Sequence, residues 1–193
     1  MKSEEIKIAK TNHPVLSEIS KRWSARAFDS SLIGQEELET LLEAASWAPS
    51  ANNEQPWTYY YAHHGTAGFE SLWECLMEAN RPWTTKASIL MVACTRKQFE
   101  KSGKNNHTAE HDLGMANALL LLQATKMNIY GHLMGGFERH KIIELLNLDE
   151  HMHPVCMIAL GKLADPETLE EPYKTRELTP RNRKPLVEFA HSV

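Results

Sequence analysis

Residues 111–137 have the sequence HDLGMANALLLLQATKMNIYGHLMGGF, and this stretch decides the fold. Its first part belongs to a segment from Thr108 to Asn128 that is apolar on nearly every side of a helical wheel. Such a helix must be buried on several sides, so we expect it to pack on a sheet of its own chain and on a partner subunit. The last seven residues, GHLMGGF, predict a short extended segment and a glycine turn.

The segments before this helix alternate between helical and strand patterns. Leucine and alanine recur at helical spacing in residues 34–48, and Pro49 ends that helix. The runs WTYYYAH (57–63) and ILMVACT (89–95) are typical of strands. We expect a helix from about Ala67 to Ala79, followed by the breaker-rich stretch NRPWTTKAS.

The segments after the central helix complete an α+β pattern. Residues 138–148, ERHKIIELLNL, predict an amphipathic helix, and residues 154–163, PVCMIALGKL, predict a last core strand. The composition then changes, because residues 164–193 contain few apolar side chains and the basic patch TPRNRKP. We therefore predict one α+β domain over residues 1–193, with 164–193 as an extended arm.

Composition excludes several classes of protein. The chain has 193 residues, of which 42% are hydrophobic, and 21 Lys and Arg against 25 Asp and Glu give a net charge of -4. This composition is globular, and the charge does not draw the molecule to nucleic acid or an anionic membrane. The longest apolar runs are too short to cross a bilayer, and the N-terminus MKSEEIKIAK is charged where a signal peptide is apolar. We expect a soluble, cytoplasmic protein whose three cysteines are reduced core thiols.

Two basic clusters indicate an anion site. In an extended stretch, Arg22, Ser24 and Arg26 of RWSAR point to one side because side chains alternate. Two guanidinium groups and a hydroxyl suit a phosphate, although a solvated basic turn has the same sequence. Arg181 and Arg183 form a second pair. The chain lacks both a Walker-type loop and a GxGxxG turn, which argues against a Rossmann dinucleotide site.

Five ordered motifs resemble the nitroreductase family of FMN-dependent oxidoreductases. They are RWSARAF (22–28), WAPSANNEQPW (47–57), HDLGMANALLLLQATKMNIYGHLMGGF (111–137), PVCMIALGKLADP (154–166) and TPRNRKPL (179–186). The resemblance implies an α+β homodimer with a central antiparallel sheet flanked by helices, a C-terminal arm crossing to the partner and FMN at the subunit interface.

The same resemblance implies which residues bind the cofactor. They are Arg22, Trp23, Ser24, Arg26, Asn53, Gln55, Gly135, Gly136, Arg181 and Arg183, with Pro49, Ser50 and Ala51 approaching from the other subunit. Arg22, Ser24 and Arg26 would hold the phosphate, ribityl chain and pyrimidine edge of FMN, and the glycine turn would bring an N–H to flavin N5. Arg26 would also stabilise the charge of reduced flavin at N1 and O2. No catalytic side chain is implied, since the flavin carries the chemistry.

The implied activity is hydride transfer from NADH or NADPH, through flavin N5, to a nitroaromatic, quinone or similar flat acceptor by a ping-pong mechanism. Residues 80–111 match the family least, and we expect them to form part of a rim over the flavin, with Trp83 and Phe99 as substrate walls. An FMN-binding sensor or storage protein, and a flavin reductive dehalogenase or flavin-fragmenting enzyme on the same scaffold, are the alternatives.

Two other patterns carry less weight. His107, Glu110 and His111 spell the H-x-x-E-H of an inverted zinc protease site, but ten histidines make chance matches common and no third ligand follows, so we expect no metal. The aromatic run at Tyr59–Tyr61 could stack nucleic acid bases, but the net charge opposes that interpretation.

Overall fold

A computed structural model describes residues 2–193 and contains one four-stranded antiparallel sheet. The strands lie in the order β1-β2-β4-β3, so β2 and β4 are central and β1 and β3 form the edges. Their bounds are β1 Trp57–His63, β2 Ile89–Arg96, β3 Tyr130–Met134 and β4 Met152–Gly161. All four strands were predicted from the sequence, and the antiparallel sheet is confirmed.

Eight α-helices surround the sheet in the part of the chain from residue 2 onward. They are α1 Lys2–Lys7, α2 Ser17–Lys21, α3 Gln35–Ser46, α4 Ala67–Glu74, α5 Arg81–Thr84, α6 Ala109–Lys126, α7 Arg139–Leu145 and α8 Tyr173–Leu178. Single 3-10 turns occur at Ala51–Asn53, Glu78–Asn80, Pro166–Thr168 and Leu186–Glu188. None of the helices within residues 2–193 combines the length and the apolar character that a membrane crossing requires.

Helices cover both faces of the sheet, which explains the continuous apolar sequence of β2. Ile89, Met91 and Ala93 lie in a core shared with α3 and α6. Leu90 and Val92 point to the opposite face, in a core with α4, α5 and α7. Alternate residues of one strand therefore face two different cores, and each must be apolar.

The central helix α6 is confirmed, and it is buried on one side in the single chain. Leu113, Leu120 and Ala124 are fully buried between the sheet and α3. On its outer side Ala118 is exposed, and Leu119 and Leu122 are only partly covered. An apolar strip of α6 thus remains at the surface of one chain.

The structure differs from the sequence prediction around residue 80. The helix predicted over 67–79 ends at Glu74, and the chain turns so that Leu76 forms a bridge with Phe137. The breaker-rich stretch then contains α5, because Pro82 occupies the first turn, where its missing N–H leaves no helical bond unmade. A helix in this stretch was not predicted from the sequence.

The tail also differs from the prediction of an extended arm over residues 164–193, because its first half folds onto the domain. Ala164 donates its N–H to the carbonyl of Ala27, and α8 carries Glu177 with no exposed surface. Only beyond Thr179 is the chain largely extended and exposed. The sequence of α8, YKTREL, has too few apolar residues to predict this docking, because polar contacts hold it.

Candidate functional site

The candidate site is built on the segment 22–26, which lies along the edge strand β3. The rings of Trp23 and Tyr130 have centroids 4.5 Å apart, and the carbonyl of Ala25 lies 3.0 Å from Nδ1 of His132. Trp23 and Ala25 are buried, whereas Arg22 and Arg26 are partly exposed and Ser24 is exposed. The predicted alternation is confirmed, and the three polar side chains face away from the core.

The inner side of this segment is held by Glu177 of α8. The indole Nε1–H of Trp23 donates to Glu177 Oε1 at 2.7 Å, and the backbone N–H of Arg26 donates to Oε2 at 3.1 Å. Burial raises the pKa of Glu177. The Trp23 ring therefore lies on the inner side of the segment, between Glu177 and Tyr130. Sequence reasoning missed Glu177, since one acid in a polar tail gives no signal of burial.

Three arginines and a lysine meet beside the segment. Arg22, Arg181 and Arg183 line a cavity of about 440 Å³ together with Lys10, and apolar residues of α2 and α6 complete its wall. The guanidinium of Arg181 donates to the backbone carbonyls of Ser20 and Arg22. The structure thus brings Arg22 of the first basic cluster to Arg181 and Arg183 of the second, and it adds Lys10, which sequence reasoning did not identify. Arg26 does not line this cavity.

The cavity of this arginine cluster (Arg22, Arg181 and Arg183) is lined by basic, polar and apolar residues in the part of the chain that the structure describes. Burial lowers the pKa of Arg22 and of Arg181, and neighbouring arginines lower each further. Among residues 2–193, no acidic residue lines the cavity, and Nε of Arg181 is buried without a hydrogen-bond partner. Arg22 and Arg181 are partly buried and Arg183 is exposed, so the three guanidinium groups remain accessible to a multivalent anion such as a terminal phosphate.

The glycine turn follows β3. The carbonyl of Gly136 accepts from the N–H of Met77 at 3.1 Å and from Nδ2 of Asn80 at 3.0 Å. Within residues 2–193, neither Gly135 nor Gly136 donates its own N–H to another group. A Cβ at Gly136 would lie 2.9 Å from Nδ2 of Asn80, whereas one at Gly135 would meet open space. The turn is fixed through its carbonyl and leaves its donors free, as the approach of a flavin N5 requires.

Trp83 does not form an exposed wall. It is 3% exposed, its ring centroid lies 4.5 Å from that of His132, and the guanidinium carbon of Arg26 is 5.7 Å from its ring. The expectation that Trp83 lines a rim was wrong, because α5 carries it into the core beneath Arg26. Burial, and then the charge of Arg26, lower the pKa of His132 to about 4. The His132 imidazole is therefore neutral near pH 7.

The loop 49–55 has a tight local geometry. Asn52, Asn53 and Gln55 have φ values of 55°, 56° and 52°, a left-handed conformation that asparagine tolerates best. Ser50 Oγ accepts the N–H of Gln55 at 3.0 Å, and Asp112 Oδ2 accepts the N–H of Ala51 at 3.1 Å. The side chains of Asn53 and Gln55 are exposed.

The loop and the arginine cluster lie toward different ends of α6. Asp112 anchors the loop near the start of this helix, and Leu122 lines the arginine cavity about ten residues later, which is about 15 Å along the axis. Within residues 2–193, hydrogen bonds therefore link the motif at 22–26 to the basic tail, whereas the loop 49–55 is bonded to Asp112 and to Glu100.

Phe99 lies on a hairpin beside that loop. Gln98 and Asn105 form a bridge, and the N–H of Glu100 donates to Glu54 Oε1 at 2.5 Å. Phe99 is partly exposed. Of the segment 80–111, which was expected to form part of a rim, α5 and β2 belong to the core, and the hairpin remains the candidate rim element.

A family model described as the nitroreductase family matches residues 19–91 and 75–162, which together span most of the chain. The chain belongs to the nitroreductase family. The resemblance inferred from the five motifs is therefore confirmed, and with it the assignment of the chain to a family of oxidoreductases.

Individual relatives agree with this assignment. A Bacillus subtilis strain 168 protein, provisionally named NAD(P)H nitroreductase YdgI, is 27% identical over 180 residues, covering 75% of this chain and 86% of its own length. A crystal structure described as an oxidoreductase containing FMN is 35% identical with a TM-score of 0.90 and covers 94% of this chain and 93% of its own. A Desulfovibrio desulfuricans nitroreductase-like protein in complex with FMN is 21% identical with a TM-score of 0.73, covering 95% of this chain and 98% of its own, and supports the fold alone.

Proposed function

We propose that this member of the nitroreductase family is an FMN-dependent oxidoreductase that uses NADH or NADPH. The observation that carries the proposal is the arginine cluster, in which, within residues 2–193, Arg181 retains an unpartnered buried Nε and no acid lines the cavity. The name of the similar crystal structure, an oxidoreductase containing FMN, supports the choice of anion.

The residues present fit an FMN molecule laid along the β3 edge. Arg22, Arg181 and Arg183 would hold the phosphate, with Lys10 beside them. Ser24 and Arg26 would follow the ribityl chain and the pyrimidine edge, since they project from the same side of the segment. The free donors of Gly135 and Gly136 would face N5.

When bound, the flavin supplies the redox chemistry, taking a hydride at N5 and passing electrons to a nitroaromatic, quinone or similar flat acceptor. The chain positions the ring, and Arg26 provides a fixed positive charge at its pyrimidine edge. Since donor and acceptor would use the same exposed face of the ring, they cannot bind together, and we expect ping-pong kinetics.

We further propose that the site is completed in a homodimer. The apolar strip of α6 remains uncovered in one chain, and Trp47, next to the loop 49–55, is 79% exposed. Burying these surfaces on a second copy would bring Pro49, Ser50 and Ala51 of that copy to the flavin, with Asn53 and Gln55 nearby. The exposed end of the chain, which includes Phe189, would then cross to the partner.

The deciding experiment is an absorption spectrum of protein purified without denaturant, followed by turnover assays. We expect yellow protein that releases FMN rather than FAD, and oxidation of NADH or NADPH with quinones and nitroarenes. Double-reciprocal plots should give parallel lines.

Three results would argue against parts of the proposal. Protein that stays colourless after incubation with FMN would contradict FMN binding, on which the whole proposal rests. Bound FMN without turnover would favour a sensor or storage protein, and turnover only with halogenated substrates would favour a dehalogenase.

A further inference from the structure

Glu177 has a position that its sequence context does not explain. It lies on the short helix α8, in the polar tail, and has no exposed surface. Helix α8 is itself held by Lys7 of α1, whose Nζ donates to the carbonyls of Arg176 at 2.7 Å and Thr179 at 2.6 Å. Two chain ends therefore cooperate to place one carboxylate behind the segment 22–26.

The two bonds of Glu177 require a carboxylate. Trp23 Nε1 and the backbone nitrogen of Arg26 are both donors, and each carboxylate oxygen accepts one of them. A glutamine has one acceptor oxygen and would turn an N–H toward one of these donors. The positive charges of Lys7 and Arg26 oppose the cost of burying the carboxylate, although burial remains the larger effect on its pKa.

These bonds hold the Trp23 side chain at one end and the Arg26 backbone at the other end of the stretch that carries the outward side chains. With Trp23 held at one point and Arg26 at the other, Ser24 and Arg26 have a set direction. The Arg26 guanidinium also lies over the Trp83 ring. Glu177 therefore holds the backbone of Arg26, and Trp83 supports its side chain.

We infer that Glu177 is a positioning residue for flavin binding, which acts by holding the backbone of Arg26 so that its guanidinium meets the pyrimidine edge of the ring. This inference rests on the proposed function. It assigns to the tail a second task, separate from the phosphate contact of Arg181 and Arg183.

The test compares two ligands that differ only in the phosphate. FMN and riboflavin are titrated into flavin-free, full-length protein, and binding is followed by flavin fluorescence. Glu177→Gln should weaken both ligands by about tenfold or more, since a buried donor loses its acceptor, and the ratio of the two affinities should stay unchanged. Glu170→Gln, on an exposed acid of the same tail, is the matched control and should change neither affinity.

A double-mutant cycle asks whether Glu177 acts through Arg26. If it does, Glu177→Gln should have almost no further effect on riboflavin affinity in an Arg26→Ala background. Effects that multiply in the double variant, or a Glu177→Gln protein that binds like wild type while Arg26→Ala binds weakly, would overturn the inference. An Arg26→Ala protein with normal flavin affinity would instead count against the proposed function.

A milder variant covers the case in which Glu177→Gln does not fold. Glu177→Asp keeps the negative charge but shortens the side chain, so the carboxylate should no longer accept from both Trp23 Nε1 and the Arg26 N–H. We expect a folded protein, shown by its thermal unfolding curve, with weaker riboflavin binding. Unchanged binding in that folded variant would contradict the positioning role.

Discussion

The β3 edge, comprising residues 22–26 with Glu177 and Arg181, and the loop 49–55 are built in opposite ways. The edge depends on contacts between distant residues, since Trp23 and Glu177 are 154 residues apart in the sequence and Arg22 and Arg181 are 159 apart. The loop is closed by bonds within five residues, and its link to Asp112 spans 61.

The two regions are therefore stabilised by different interactions, local in the loop and between distant residues in the β3 edge. The loop conformation is largely local and depends on residues that tolerate positive φ, such as Asn52 and Asn53. The β3 edge depends on docking of the tail, because Glu177 accepts the hydrogen bonds of Trp23 Nε1 and of the Arg26 backbone N–H. Changes far from the flavin should therefore damage the edge and spare the loop.

Truncation should give the largest effect. A chain that ends at Leu163 lacks Glu177, Arg181 and Arg183, so Trp23 Nε1 and the Arg26 N–H lose their acceptor and the proposed phosphate site loses two of its arginines. Each orphaned donor costs about 1–3 kcal/mol, and we expect FMN binding to be lost and thermal stability to fall sharply. Flavin content and circular dichroism melting measure both effects.

The matched control ends at Lys184 and keeps every residue of the β3 edge. It should retain FMN binding, although its dimer should be weaker if the removed residues cross to the partner. A Leu163 truncation that binds FMN as tightly as the full chain would contradict the long-range construction of the edge.

The sequence predicts the parts of the molecule that depend on local pattern. All four strands and the central helix follow from apolar or aromatic runs and the turn residues beside them, and the alternation of Arg22, Ser24 and Arg26 follows from extended geometry. The helix α5 and the burial of Trp83 were missed, because tertiary packing decided a stretch with ambiguous local signals.

The coupling of the tail to the β3 edge was also beyond sequence reasoning. The extended arm was expected to begin at Ala164, but Glu177 docks α8 through hydrogen bonds that leave no periodic apolar signature. Conversely, the meeting of Arg22 with Arg181 and Arg183 was implied by the family resemblance, and the contacts of Arg181 with the segment agree with it.

Arg22→Ala should cause the next largest loss of FMN affinity. The loss should be confined to the ligand that carries the phosphate. Deleting one partner of a charged hydrogen-bonded contact costs about 2–4 kcal/mol of FMN binding, whereas riboflavin, which lacks the phosphate, should bind nearly as before. Asn53→Ala in the loop provides the contrast, with a loss of about 1 kcal/mol for both ligands. Equal losses of FMN and riboflavin in Arg22→Ala would place the phosphate elsewhere.

Replacing the anchor of the loop should give the smallest effect. Asp112 is 2% exposed, and its Oδ2 accepts the N–H of Ala51, so Asp112→Ala leaves that donor without its acceptor and frees the loop to move. The cost to global stability should be about 1–3 kcal/mol, because a buried acceptor is removed. Riboflavin and FMN should weaken equally and by less than in Arg22→Ala, since the loop would contact the ring and not the phosphate. His111→Ala is the control. Nδ1 of the exposed His111 ring lies 3.3 Å from Asp112 Oδ1, and the ring does not support Ala51. A selective loss of FMN over riboflavin in Asp112→Ala would show that the loop and the arginine cluster act together, and the division between the two regions would then fail.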